Sequence, residues 1–225
     1  MIGLKTYLST LSPLLGQSEE MLYERQRALV RQGLLDSVGG RGPGSGVRAD
    51  ESALSPFLIS LLAHDILAHS QMAELFCGMK NDAGKCPITG AKTFREGLEA
   101  VLGHEGLAEK TTGVMLHRNH PGRCYLHFVG RNNRIISSAF GHKGRALMPV
   151  SALRTSTSFG SDFITHVAKD IARFKTDDGI MKGHTQQREA AFRKRYQAAL
   201  DAPPDQDLWE ELREEKMRDN MWDDN

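Results

Sequence analysis

The sequence predicts an α+β protein, mostly helical. It divides into two N-terminal helices with a glycine-rich hairpin, a small α+β unit with an antiparallel sheet, and a charged helical C-terminal tail. Three observations predict this. Apolar residues recur at helical spacing in the first third of the chain and again near residues 94–102 and 161–171. Three strand-like runs lie between residues 112 and 140. From Lys175 the chain is charged and polar and lacks a wide apolar face. The implied units are 1–80, 92–174 and 175–225, with the polar, turn-rich stretch 80–92 at the boundary.

Leu4, Tyr7, Leu8, Leu11 and Leu15 define an amphipathic helix over 3–15, ended by Gly16. Ser18 is the N-cap of a second helix, with Glu19 and Glu20 at its positive end. That helix is expected to bury Met21, Leu22, Ala28 and Leu29 and to stop at Gly33. Residues 38–48 hold five glycines and a proline, which excludes helix. Leu34, Leu35 and Val47 flank them and would anchor a hairpin at both ends. Ser55-Pro56 reads as the start of a further helix burying Phe57, Leu58, Leu61 and Leu62, and a short helix is expected over 71–79.

Thr93 and Glu96 form a capping box ahead of Phe94, Leu98, Val101 and Leu102. Strands are expected over 112–118, 123–129 and 134–140, with a hairpin turn at Gly130–Asn133. Ser161 caps a helix that buries Phe163, Ile164, Val167, Ala168 and Ile171, while Ser156, Ser158 and Ser161 read as turn and capping residues. Two tail helices are expected, a basic one over 187–200 and an acidic one over 207–221, separated by Pro203-Pro204.

The net charge of +1 conceals segregation. Between Lys110 and Ser161 there is no Asp or Glu, against eight Lys and Arg; Asp205–Asn225 holds nine acidic residues and three basic ones. Such asymmetry implies a surface for a polyanion and an acidic tail able to dock a protein partner. No apolar run is long enough to span a bilayer, so no membrane partner is expected. Residues 1–15 lack a cleavage signature, and three cysteines form no disulfide framework, which fits the cytoplasm.

Two helices joined by a short turn, followed by a thin basic loop, are the parts of a winged helix-turn-helix that reads double-stranded DNA. The second helix carries Arg25, Gln26, Arg27 and Arg31, suited to base edges and phosphates, and the loop carries Arg41 and Arg48. Arg118, Arg123, Arg131 and Arg134 are candidate additional basic contacts. The segment YERQRALVRQGLLDSVGGRGPGSGVR, residues 23–48, resembles the helix, Gly-Leu-Leu exit and wing of MerR-type winged-helix regulators. The order of helix, exit, wing and Pro-started helix also resembles regulator-like proteins of bacterial prophages. The resemblance covers about the first seventy residues and implies sequence-specific DNA binding through Arg25, Arg27, Arg31, Arg41 and Arg48. The MerR type keeps its recognition helix apart from the helix bearing the exit; here one helix serves both roles.

His117, His120, Cys124 and His127 lie close in sequence, but their spacing matches no standard zinc pattern, and alternation along strands means that His117 and Cys124 need not share a face with His127. A nuclease site would have to borrow a carboxylate from Glu96, Glu99, Glu105 or Asp162. No nucleophile–base pair or phosphate loop is visible, so no metal, no cofactor and no enzymatic activity are expected. The leading expectation is a homodimeric transcriptional regulator of phage or bacterial origin. The alternatives are a DNA-packaging or replication accessory protein of small-terminase type and a protein adaptor that binds no DNA.

Overall fold

The computed structural model describes residues 2–39, 46–63, 70–117, 122–141 and 156–176. Arg41, Arg118, His120 and the two expected tail helices lie outside the described residues, as does the side chain of Arg131.

The chain is α+β. Helix α1 (Leu4–Leu15) buries Leu4, Tyr7, Leu8 and Leu11 along one stripe. Gly16 ends it at φ 62°, a left-handed conformation that costs glycine little. The turn is Gly16–Ser18. Helix α2 (Glu19–Arg31) follows, and its Met21 amide donates to the Ser18 hydroxyl at 3.3 Å. At its far end Gly33 takes φ 71°, and the Leu34 amide closes back on the Leu29 carbonyl at 3.0 Å.

After α2 the chain turns back on itself. Val38 and Gly46 pair antiparallel and exchange two backbone hydrogen bonds of 3.0 and 2.8 Å. Leu35 and Val47, on either side of this pair, are both buried, as the hairpin reading requires. The returning arm then pairs with the N-terminus. The Leu4 amide donates to the Val47 carbonyl at 2.7 Å, and the Ala49 amide to the Ile2 carbonyl at 3.0 Å.

Helix α3 (Glu51–Ala63) starts earlier than Ser55-Pro56 suggested. The Asp50 carboxylate accepts from the Ala53 amide at 3.0 Å and opens the helix there. Pro56 therefore sits inside it and cannot donate to the Ser52 carbonyl. Arg95 supplies the missing donor: its Nη2 reaches that carbonyl at 3.2 Å. Every residue from Ala53 to Ala63 is buried, so α3 is the central helix.

Helix α4 (Ser70–Cys77) leads to strand β1 (Lys80–Asn81). Helix α5 (Phe94–Leu102) has both halves of the Thr93/Glu96 capping box, and the single turn α6 (Glu105–Ala108) follows. Strands β2 (Thr111–His117), β3 (Arg123–Val129), β4 (Ile135–Gly141) and β5 (Ser156–Gly160) complete a fully antiparallel sheet in the order β1-β4-β3-β2-β5. The β3–β4 turn places Asn132 and Asn133 at positive φ, and the Gly130 amide donates to the Arg134 carbonyl at 2.7 Å. The last described helix, α7, covers 161–176 and buries Ile164, Val167, Ala168 and Ile171.

Two strands correct the sequence reading. Ser156 and Ser158 belong to β5, not to a turn; Ser156 pairs with His117 and Ser158 with Met115. Lys80–Asn81 joins the sheet through β4, inside the stretch read as a boundary. One core runs from Leu4 to Phe174 without a break across 80–92. Tyr7 of α1 donates to Asp170 of α7 at 2.9 Å and packs edge-on against Phe174 at 5.2 Å. Thr157 of β5 donates to the Leu62 carbonyl of α3 at 2.6 Å. Among the described residues no helix is long and apolar enough to cross a membrane.

Candidate nucleic-acid interface

Helix α2 presents one face to the core and another to solvent, and its cations divide between them. Leu22, Arg25, Gln26 and Leu29 make the buried stripe, at the i, i+3, i+4, i+7 spacing of a packed helix face. Arg25 is only 5 % exposed and its Nη1 donates to the Ser60 carbonyl of α3 at 2.9 Å. Gln26 is 6 % exposed. Both were expected to face DNA, and both are turned inward. The expected burial of Met21 is also overturned, since that residue is 48 % exposed. The stripe is rotated because a guanidinium with a backbone carbonyl partner can occupy a position that residue type alone assigns to the surface.

Arg27 and Arg31 stay exposed. Arg27 pairs with Glu24 at 2.7 Å, and the hydrogen bond from that carboxylate raises the guanidinium above its ordinary pKa. Arg31 Nε leans on the Arg27 carbonyl at 3.4 Å. Arg48, exposed, lies on the returning arm of the hairpin, two residues after Gly46 and paired with Gly3. It lines a cleft of about 290 Å³ with Asp36, Val38, Asp50, Ser52, Ala53 and Arg95. The two carboxylates make the hairpin base mixed in charge. Arg95, which shares the cleft, was not singled out from the sequence because it reads as an ordinary surface position of a capped helix.

Arg123 and Arg134 belong to the sheet. Arg123 opens β3, with Nη2 at 3.3 Å from Asp82. A hydrogen bond with Tyr125, then the Asp82 charge, raises its guanidinium. Arg134 is exposed just before β4.

Strand alternation sorts the histidine cluster. Cys124 points inward, buried, with Sγ 3.5 Å from Met79 Sδ. His117 and His127 lie on the outer face with Tyr125 between them. Among the described residues no group of three or more His, Cys, Asp or Glu side chains is gathered to hold a metal. Two of the carboxylates that a nuclease would borrow are otherwise engaged. Glu96 accepts from the Lys92 and Thr93 amides, and Glu99 holds Arg95 Nε at 2.8 Å. Comparison with protein-family models, with curated proteins and with solved structures gives no match to this chain.

Proposed function

We propose that this chain binds double-stranded DNA through its N-terminal region, as a winged helix-turn-helix regulator of phage or bacterial type with no catalytic step of its own. The observation that carries the reading is the Val38–Gly46 pair. It closes a glycine-rich hairpin immediately after the exit of α2, and the returning arm pairs with the residues that lead into α1. That is the order of parts that lets one helix lie in the major groove while a thin loop reaches the backbone. In this reading Arg27 and Arg31 are the groove-facing cations of α2, and Arg41 and Arg48 hold phosphate from the hairpin. Two copies in a dimer would read a palindromic site.

The test is selection from pooled genomic fragments, followed by a salt titration on an enriched duplex. Wild type is expected to select a sequence and bind it with a steep salt slope. Arg41→Ala/Arg48→Ala should make that slope shallower by about two ions. Arg31→Ala should weaken the selected site more than an unrelated duplex. Absence of both enrichment and salt-dependent duplex binding overturns the reading.

A further inference from the structure

The second surface lies on the sheet. Its inner side meets α3 and α5 and carries the buried residues Val114, Leu116, Cys124, Leu126, Phe128 and Phe140. The alternate positions of β2 and β3 face the other way and are half-buried. His117, Tyr125 and His127 form a row of rings there. His117 meets Tyr125 edge-on with centroids 5.4 Å apart, and Tyr125 and His127 lie parallel within 4° at 5.8 Å. Met115, the cross-strand partner of Tyr125, shares their face. The Ser137 hydroxyl fixes the His127 ring through Nδ1 at 2.8 Å.

The strands that carry this row hold no carboxylate of their own. All of β2, β3, β4 and β5 falls within the acid-free stretch Lys110–Ser161. Arg123 stands at the end of the row beside Tyr125; one carboxylate, Asp82 from the loop after β1, reaches it. Burial first, and then the nearby His117, lower the pKa of His127, which keeps that ring neutral and apolar at neutral pH. A sheet face with adjacent, half-buried flat rings, a thioether and an arginine at its edge is the chemistry that stacks unpaired bases and follows a phosphate backbone. A base pair inside a duplex cannot offer its face to such a row.

We propose that the outer face of the sheet binds single-stranded nucleic acid, with bases stacked on His117, Tyr125 and His127 and the backbone held by Arg123. The row and Arg123 belong to β2 and β3 and share no residue with the duplex-binding reading's Arg27, Arg31, Arg41 and Arg48, so the two readings are tested separately.

The experiment is fluorescence anisotropy of the full chain with labelled oligothymidylate and oligouridylate of about 20 nucleotides, and with a duplex of the same length. Wild type is expected to bind a single strand with salt-dependent affinity, and the two single-stranded probes decide between DNA and RNA. Tyr125→Ala should weaken single-strand binding by about 5- to 100-fold, the loss of one stacked base, whereas Tyr125→Phe keeps the ring and should stay near wild type. If Tyr125→Ala lowers the melting temperature, His127→Ala carries the same test. Failure to bind either strand at low salt, or binding that Tyr125→Ala and His127→Ala leave intact, overturns the proposal. A wild-type dimer that Tyr125→Ala dissociates, without single-strand binding, would assign the face to a second copy and overturn it too.

Discussion

Arg25 and Arg31 sit six residues apart on one helix and have opposite environments. Arg25 is packed under α3 and bonded to the Ser60 carbonyl, while Arg31 is exposed. Removing a charged donor from a buried carbonyl costs about 2 kcal/mol. Arg25→Ala is therefore expected to lower unfolding stability by about 2 kcal/mol, with any loss of DNA binding following from instability. Arg31→Ala should change stability by less than about 0.5 kcal/mol and act on binding alone. Denaturant unfolding of both variants separates the roles; an Arg25→Ala protein as stable as wild type would mean that the guanidinium is not a structural tie.

At the scale of elements, α5 lies close to the sheet because Gly97 has no side chain. A Cβ there would stand 2.8 Å from Leu126 Cδ1 and 3.3 Å from Phe140 Cζ. Both neighbours are fully buried, and Phe140 also packs against Phe94 at 5.5 Å. Alanine gains about 1 kcal/mol of helix propensity over glycine. Overpacking of a dense core costs about 1–3 kcal/mol and outweighs that gain, because both neighbours are fully buried. Gly97→Ala is expected to lower the melting temperature, and an increase would show that α5 can slide away from β3. On the same helix Arg95 has two tasks, holding Glu99 along α5 and reaching the carbonyl that Pro56 leaves open in α3.

At the scale of the whole molecule, three buried acids among the described residues are held in their protonated forms. Burial pushes the Cys77 thiol from 9.0 up to about 12. It raises Cys124 as well, with Cys77 close by adding to the effect. Tyr7 is raised first by burial and then by its hydrogen bond to Asp170. Each raised value means that the folded state holds its proton more tightly than the unfolded chain. The associated stability is complete below the ordinary value and is lost as pH rises through the folded one. Melting temperature should therefore fall as pH climbs from 9.0 toward about 12, and Cys77→Ala should make the fall shallower. A flat alkaline profile would contradict the burial of these groups. Tyr7 adds a geometric consequence, because its bond joins the first helix to the last described one across 163 residues.

Local chemistry was legible wherever one or two neighbouring residues decide it. Gly16, Ser18, Gly33 and the Thr93/Glu96 box mark helix ends through backbone conformation and hydrogen bonds within a few residues. Leu35 and Val47 marked both ends of the hairpin, and β3 falls on its expected residues, because alternation and turn chemistry are also local. The exposed part of the candidate duplex-binding surface, Arg27, Arg31 and Arg48, was legible for the same reason. The rest depended on partners distant in sequence. Strand β5 is a run of Ser, Thr and Gly with one Phe, and it is a strand because the edge of β2 offers it hydrogen bonds. Pro56 lies inside α3 because Arg95 satisfies the carbonyl it abandons. Arg25 is buried because Ser60 meets it there, and Tyr125 joins two histidines only once β2 and β3 are in register. The sequence by itself determined the helix caps, the hairpin and the charge segregation. Only the tertiary structure decided which polar side chains face inward, because burial of a polar group turns on whether a distant partner stands ready to hydrogen-bond it.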